Sequence, residues 1–381
     1  MKFIHTSDWH IGRQLHNQSL LDDQRYVLNQ IVELAKSNEV DAVVIAGDIY
    51  DRSVPPANAV ALLDDVVNQL VNQLGIKVIM VAGNHDGHER LGFASRQMQQ
   101  SGLYIIGPLT SQIEPIILQG KQGGAAFYPL PYAEPATVRH LYDCDASTHE
   151  EAMQTLLEGV TAHDSQGLPK VVIAHCFLDG GSESESERPL SIGGADKISP
   201  SLFKDFAYTA LGHLHGPQYK GQEHTRYSGS ILKYSFSEQK QNKSVTLVEF
   251  DTDNQPQISL LPLTAMRDVR IVDGALDELL LAGENDANRD DYLMVRLSDK
   301  HAILDAMGKL RNVYPNVLHL ERTGLMANNE QLAIRADHIK KGELEMFADF
   351  FNQVSGEALT PEQQQMMVAT IDALHKSEDN R

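Results

Sequence analysis

Histidine, aspartate and asparagine residues follow short apolar runs in this sequence, a pattern that suits metal chemistry. Asp8 and His10 have D-x-H spacing, and His213 and His215 have H-x-H spacing. We predict that each pair lies in extended chain, where residues two apart point the same way. Either pair alone is more typical of hydrogen-bonded residues on the surface or in the core than of a metal site.

A preceding glycine strengthens two further candidates. Asp48 in GDIYD and Asn84 in GNHD each follow a glycine at the end of an apolar run. Because glycine lets the backbone turn tightly and approach a ligand, both positions favour a binding site. Each has a structural alternative: Asp48 could cap a helix, Asn84 could form a turn, and His175, which ends another run, could be a buried histidine.

The coincidence of these residues favours a metal centre over the separate structural explanations. The candidates close five apolar runs, which are Lys2–Ile4, Val40–Ala46, Ile76–Ala82, Val171–Ala174 and Tyr208–Leu211. Near-continuous apolar runs predict strands that are buried on both faces. Carboxylate, imidazole and amide ligands together suit Mn²⁺, Fe²⁺ or Zn²⁺.

Helical patterns lie between these predicted strands. Two apolar stripes have helical spacing, one made by Leu28, Ile31, Val32 and Ala35 and the other by Leu63, Val66, Val67, Leu70 and Leu74. Alternating strands and helices predict an α/β domain, and such domains place their sites in the loops after the strands.

Composition restricts the classes of protein to which the chain can belong. Its 381 residues exceed one typical domain, so we expect two or more. The formal net charge of −20 argues against an ordinary basic DNA-binding protein. Affinity for phosphate must then come from metals, from a partner, or from local arginines such as Arg13, Arg52 and Arg90, each of which is more typically solvated.

The sequence predicts a cytoplasmic protein. No apolar run reaches the ~18–20 residues that span a bilayer. The segment MKFIHTSDWH puts a histidine and an aspartate where a signal peptide needs apolar residues. Cys144 and Cys176 make no metal pattern and fit a reducing compartment, so we expect both in or near the core.

The chain changes character after about residue 265. A small α+β unit is predicted from Arg270–Leu281, Tyr292–Leu297, Ala302–Val313 and Val317–Leu320. Two amphipathic helices then follow. The first carries Leu344, Phe347, Phe350, Phe351 and Val354 on one face; the second begins with a capping box at Thr360 and Gln363 and carries Met367, Ile371 and Leu374. Their apolar faces could dock on their own domain or on a partner.

The motif order D-x-H, GD-x-x-D, GNHD, H and GH-x-H resembles that of the calcineurin-like metallophosphoesterases. The resemblance implies an α/β fold in which two β-sheets are sandwiched between helices, with two divalent cations. It implies that the first metal is held by Asp8, His10, Asp48 and His215, and the second by Asp48, Asn84, His175 and His213. Two such cations activate a water and polarise a phosphoester.

A closer resemblance is to the bacterial SbcD family of nuclease subunits, through HTSDWHIGR, AGDIYDRSVP, AGNHD, SESESERPLSIGG, ALGHLH and RYSGS. By this resemblance His85 stabilises the transition state or protonates the leaving oxygen. Asp51 would orient or charge-stabilise the imidazole of His85, although some relatives have a histidine in place of Asp51. The plainer role for His85 is a hydrogen bond that supports a metal ligand.

The SbcD resemblance also implies a domain order and partners. It implies a nuclease domain at 1–265, a capping domain at 266–338 and C-terminal helices at 339–381 that dock an SbcC-type coiled-coil ATPase. A homodimer within a heterotetramer would act on DNA at the nucleoid, usually with Mn²⁺, as a 3′→5′ exonuclease and a hairpin or single-strand endonuclease. The alternatives are a phosphoesterase for small phosphoesters or phosphoproteins, and a binding subunit without catalysis.

Overall fold

The computed structural model describes residues 1–188, 190, 196–324 and 343–378. The chain divides into two compact units, Met1–Asp268 and Val269–Arg381. Among the described residues, no helix has both the length and the apolar character that crossing a bilayer requires.

The first unit contains two six-stranded sheets. Across the first sheet the order is β16 (Pro256–Pro262), β15 (Ser244–Phe250), β1 (Lys2–Thr6), β4 (Ala42–Ala46), β5 (Lys77–Val81) and β6 (Leu103–Ile106). Strands β1, β4, β5 and β6 are parallel, and β15 and β16 extend the sheet in antiparallel fashion. Parallel order brings the carboxyl ends of β1, β4 and β5 to one edge.

The second sheet repeats this arrangement. Its order is β13 (Gln218–Lys220), β14 (Gln222–Tyr227), β12 (Tyr208–Gly212), β9 (Lys170–His175), β8 (Gly123–Leu130) and β7 (Ile116–Gly120). The four central strands are parallel. Two short pairs complete the unit, β2 (Gln14–Leu15) with β3 (Gln18–Ser19) and β10 (Phe177–Leu178) with β11 (Lys197–Ile198).

An apolar core joins the two sheets. Phe3 of the first sheet contacts Phe127 and Tyr208 of the second edge to face, with ring centroids 5.3 and 5.7 Å apart. Val44, Ile79, Val171 and Ile173 belong to the same buried cluster. Alternate side chains of these strands point away from this core and are also buried, so helices must cover both outer faces.

Helices form the outer layers of the first unit. Their bounds are α1 (Leu21–Ser37), α2 (Ala57–Asn68, continued as a π-helix over Gln69–Gln73), α3 (His88–Leu91), α4 (Ser95–Met98), α5 (Pro135–Tyr142) and α6 (His149–Ala162). Leu156 and Val160 of α6 pack in one cluster with Val172 of the second sheet. A capping box formed by Thr148 and Glu151 starts α6.

The predicted elements are present. All five apolar runs are strands, and both helical stripes lie on helices with buried faces. The predicted fold class, two sheets between helices, is therefore confirmed. The other strands of the two sheets, β6, β7, β8, β13, β14, β15 and β16, were not predicted. Cys176 is buried and Cys144 half-buried, as expected for core and near-core thiols.

The second unit begins with alternating strands and helices. They are β17 (Val269–Gly274), α7 (Leu276–Gly283), β18 (Tyr292–Leu297), α8 (Ala306–Arg311) and β19 (Val317–Arg322). The predicted mixture of helices and strands is confirmed, and its three strands are parallel, so each helix is a crossover connection. Leu279, Leu293 and Leu310 lie in its core.

Two helices close the described part of the second unit, α9 (Glu343–Ser355) and α10 (Pro361–Glu378). The predicted capping box is confirmed, because the N–H of Thr360 bonds the side chain of Gln363 and the N–H of Gln363 bonds the Thr360 hydroxyl. The N–H of Ala302 donates to the carbonyl of Val354 at 3.0 Å, which ties α9 to its own unit. The predicted boundary at 338 and the side chain of Leu374 lie outside the described residues.

Candidate metal centre

The carboxyl ends of strands from both sheets meet at one edge of the first unit. A Cβ added to Gly212, at the end of β12, would lie 1.8 Å from the carbonyl oxygen of Ala46, at the end of β4. Nδ1 of His175, at the end of β9, lies 2.9 Å from the same oxygen. The loops that follow these strands therefore share one space.

The backbone carrying these side chains turns sharply. Asp8, His10, Asp48 and His213 have positive φ values of 51°, 45°, 51° and 110°. The predicted extended geometry of D-x-H and H-x-H is therefore wrong: β1 ends at Thr6, and left-handed turns rather than strand pleating aim these side chains. Such residues cost about 1–3 kcal/mol each and persist where surrounding contacts hold them, as at binding sites.

Hydrogen bonds between the loops hold this strained backbone. The carboxylate of Asp8 accepts the N–H of His213 at 3.0 and 3.2 Å. The N–H of Asp8 donates to the carbonyl of Gly47, and the N–H of His10 donates to the carbonyl of Asp48 at 2.9 Å. The loops after β1, β4 and β12 thus fix one another.

Four of the predicted ligands come together as a first group. Nε2 of His10 lies 3.1 Å from Nε2 of His215 and 3.5 Å from Oδ2 of Asp48. One ligand atom each from Asp8, His10 and His215 fits within 4.8 Å, so these three could hold one metal ion.

A second group shares Asp48 with the first. Oδ2 of Asp48 lies 3.5 Å from Nε2 of His175, and Oδ1 of Asn84 lies 2.9 Å from the same nitrogen. Asp8, Asp48 and His175 also have ligand atoms within 4.8 Å of one another. The ring of His213 is 5.5 Å from that of His175. All seven predicted ligands therefore line one site.

Glycine is required beside both groups, as the sequence predicted. Gly47 has φ +91°, and a Cβ there would lie 2.2 Å from Nδ1 of His175. A Cβ on Gly83 would lie 2.2 Å from Oδ1 of Asp48. Because glycine has no Cβ, His175 and Asp48 can occupy the space that a side chain at Gly47 or Gly83 would fill.

Burial sets the protonation of the site. Burial lowers the pKa of His10 and of His213 well below the ordinary value, and neighbouring imidazoles lower both further. Burial raises the pKa of Asp8 well above its usual value, and the charge of Asp48 raises it further. Neutral imidazoles beside buried carboxylates are the donor set that divalent cations take, so the residues fit a divalent metal centre.

His85 lies beside the ligands, and the main chain of Asp51 orients it. The carbonyl of Asp51 accepts from Nδ1 of His85 at 2.8 Å, which leaves Nε2 facing Oδ2 of Asp48 at 4.0 Å. The Asp51 carboxylate lies 3.8 Å from Nδ1 of His10 and 3.3 Å from the guanidinium of Arg13, and one of its oxygens is also within 4.8 Å of a ring nitrogen of His85. The predicted orientation of His85 by Asp51 thus runs through a carbonyl that any residue supplies.

The three flanking arginines differ in their surroundings. Arg13 bonds Asp51 and the carbonyl of Ser186 and stands over the ring of Tyr234, so it is committed to internal contacts. Arg90 bonds the carbonyl of Ser53. The side chain of Arg52 is 62% exposed and lies 3.8 Å from Asp51, at the rim of the site.

Gln24 and Glu187, which sequence reasoning missed, and Asp86 support the candidate ligands. Gln24 of α1 donates to the carbonyl of His10 at 2.7 Å, and Glu187 accepts the N–H of His215 at 2.8 Å. Asp86, which follows His85, accepts the N–H groups of Ile49, Tyr50 and Gly83. The only hint in the sequence was the unusual SESESER segment, which contains Glu187.

Comparison with protein families supports the resemblance drawn from the motifs. The model of the calcineurin-like phosphoesterase family matches residues 1–217. The model of the SbcD C-terminal domain, described as type 5 capsule protein repressor C-terminal domain, matches residues 265–355. The predicted resemblance is confirmed over both stretches.

The chain is also similar to solved structures at low identity. TT1561 of Thermus thermophilus is 13% identical, with coverage of 68% of this chain and 98% of that one and a TM-score of 0.38. A dimetal phosphatase from Danio rerio is 12% identical, with coverage of 70% and 99% and a TM-score of 0.41. Yfce, a phosphoesterase from E. coli, is 16% identical, with coverage of 69% and 100% and a TM-score of 0.28.

Replacing His85 should separate catalysis from metal binding. His85→Ala should lower kcat for phosphodiester cleavage by roughly 10²-fold or more, the usual contribution of a general acid or base. Mn²⁺ stoichiometry, measured by calorimetry, should stay at the wild-type value. Asp48→Ala should lose both, and Asp51→Ala should lose less activity because it keeps the carbonyl that orients His85. Reduced Mn²⁺ stoichiometry in His85→Ala would place His85 among the ligands.

Low pH should weaken metal binding and activity together. Protons compete with the cation for the carboxylate of Asp8, whose pKa is raised well above its usual value by burial, and for the imidazoles of His10, His175 and His213. Activity–pH profiles at two Mn²⁺ concentrations should show the fall moving to lower pH as Mn²⁺ rises. A fall that Mn²⁺ does not move would indicate titration of a catalytic group instead.

Proposed function

The chain belongs to the calcineurin-like phosphoesterase family of metal-dependent hydrolases, and we propose that it is a DNA nuclease subunit of the SbcD type. It binds two Mn²⁺ ions, degrades duplex ends in the 3′→5′ direction and opens hairpins or single strands, together with an SbcC-type ATPase. Its work is DNA end processing, repair and recombination at the nucleoid.

One observation carries this proposal over a general phosphatase. The metal-site motifs are common to the whole family and do not separate nucleases from phosphatases. The second unit supports the nuclease, because residues 265–355 match the SbcD C-terminal domain model. A complete ligand set and this domain in one chain favour a catalytic subunit over a phosphatase or a binding module.

The proposed reaction is hydrolysis of a phosphodiester at the centre built around Asp48. A pair of divalent cations supplies an activated water and neutralises charge on the phosphate. Asp8, His10, Asp48 and His215 would hold one, and Asp48, Asn84, His175 and His213 the other. His85, held through Nδ1 by the carbonyl of Asp51, presents Nε2 4.0 Å from Oδ2 of Asp48. In the imidazolium form, which carries a second proton on Nε2, it protonates or hydrogen-bonds the leaving oxygen.

Because the formal net charge of the chain is −20 and DNA is also negative, binding DNA requires a local source of positive charge or a partner. Arg52 and Arg90 are both exposed, but Arg90 already donates to the carbonyl of Ser53, so Arg52, whose side chain is 62% exposed beside Asp51, is our candidate for a phosphate contact. The remaining affinity comes from the cations and from the ATPase, and a homodimer within a heterotetramer doubles the contacts. Dependence on a partner for duplex DNA is therefore expected.

The C-terminal helices are the proposed docking site for the base of the ATPase coiled coil. Phe350 and Val354 of the first predicted apolar face are exposed by 58% and 40%, whereas Leu344, Phe347, Phe351, Met367 and Ile371 are half-buried. Met366 and Val368, outside the predicted face of α10, are exposed by 74% and 40%. An amphipathic helix pair of this kind packs against another helix through such a surface. The seven proposed ligands all precede residue 216, so docking and chemistry should be separable.

Substrate choice tests the proposed function directly. With Mn²⁺, the isolated chain should cleave single-stranded DNA, and addition of the ATPase with ATP should extend this to duplex degradation. Asp48→Ala should be inactive in both assays, which excludes a contaminating nuclease. Turnover of small phosphomonoesters or phosphopeptides without DNA cleavage would instead support the alternative phosphatase.

Docking is tested best by a point change, because Ala302 bonds Val354 and truncation near residue 338 would remove that contact. Phe350→Glu should weaken binding of the ATPase by about 30-fold or more, as for a buried aromatic anchor. Asn352→Glu, on the same helix, is the matched control. Both variants should cleave single-stranded DNA as the wild type does. Undiminished ATPase affinity for Phe350→Glu and for the truncated chain would place the docking surface elsewhere.

A further inference from the structure

A buried chain of polar side chains stands behind His215. Oγ of Ser186 lies 2.6 Å from Nδ1 of His215 and donates to Oε1 of Glu238. Oε2 of Glu238 accepts from Nζ of Lys243 at 2.5 Å. The side chain of Glu238 is fully buried, and Ser186 and Lys243 are each 7% exposed. None of these three residues belongs to the proposed ligand set.

The direction of the hydrogen bonds follows from the chemistry of the groups. An ammonium has only donors, so Lys243 donates to Glu238, which as a carboxylate has only acceptors. The hydroxyl of Ser186 lies closest to Glu238 and donates its single proton there, so it accepts from Nδ1–H of His215. The neighbouring hydroxyl of Ser184, 2.8 Å away, donates its own proton to Glu187. His215 then carries its proton on Nδ1 and presents the lone pair of Nε2.

That lone pair points into the proposed metal site. Nε2 of His215 lies 3.1 Å from Nε2 of His10, and the two rings meet at 63°. Glu238 by itself holds His215 poorly, because its Oε1 is 3.4 Å from Nδ1 and therefore at the limit of a hydrogen bond. Ser186 closes this gap by bonding both groups.

The loop that carries Ser186 is fastened to the same ligand at other points. Arg13 donates to the carbonyl of Ser186 at 2.9 Å, and Glu187 accepts the main-chain N–H of His215 at 2.8 Å. Ser184 donates to Glu187 at 2.5 Å, which fixes that carboxylate. The SESESER segment therefore holds both the ring and the backbone of His215.

We propose that Ser186 is a positioning residue, which together with Glu238 sets the tautomer and orientation of His215 for cation binding. The inference rests on the proposed metal site. Partners of this kind are typically responsible for roughly 10–100-fold in metal affinity. Because Ser186 acts on one ligand, its loss should weaken one of the two cation sites more than the other.

Calorimetric titration of the full chain with Mn²⁺, without DNA, tests the proposal. Ser186→Ala should weaken one Mn²⁺ site about tenfold or more and leave the other near wild type. Ser182→Ala is the matched control in the same loop, since its main-chain N–H and carbonyl, which alanine keeps, bond Gln218. Ser186→Thr keeps the hydroxyl and should restore the affinity. The metal-free melting temperatures of Ser186→Ala and Ser182→Ala should agree.

Three results would overturn the proposal. They are equal Mn²⁺ affinity in Ser186→Ala and the wild type, equal weakening of both sites with a lowered metal-free melting temperature, and failure of Ser186→Thr to restore binding. The second result would mean that Ser186 supports the fold alone. If the wild-type chain binds Mn²⁺ but does not cleave DNA, the proposed function is wrong, whereas the inference about Ser186 is unaffected.

Discussion

The carboxylate of Asp48 is the contact on which the rest of the site depends. One of its oxygens faces imidazole nitrogens of His10 and His175 at 3.5 Å each. The other accepts the main-chain N–H of His85 at 2.9 Å. Asp8 is buried in the same site and has its pKa raised partly by Asp48. Burying two carboxylates among neutral imidazoles is unfavourable without a compensating cation. The same buried negative charge therefore makes the empty site unfavourable and attracts a cation to it.

That electrostatic arrangement requires an unusual backbone. Parallel strands deliver the loops to one edge, but the ligands reach each other only through left-handed turns at Asp8, His10, Asp48 and His213. These turns are held by bonds between loops of different sheets, such as the Asp8 carboxylate to the N–H of His213. Rigid sheets in contact through an apolar core thus hold the strain that places the ligands.

The support behind the ligands comes from polar groups rather than from the apolar core. Gln24 holds the carbonyl of His10, the carbonyl of Asp51 holds His85, and Ser186 with Glu238 holds His215. Positioning by such outer groups is what keeps metal ligands oriented in proteins generally. In the second unit, by contrast, exposed apolar side chains such as Phe350 offer a surface that suits association.

The sequence by itself determined the strands and the candidate ligands, because each candidate follows an apolar run that local pattern identifies as a strand, and the order of the motifs determined the family. It also determined the capping box at Thr360, whose two partners are three residues apart. Only the tertiary structure decided that Asp51 acts on His85 through its carbonyl, and that Ser186 joins His215 to Glu238. Periodicity records which face of an element is buried. It does not record which polar atoms of distant loops meet, since that depends on turn geometry and on how the two sheets pack.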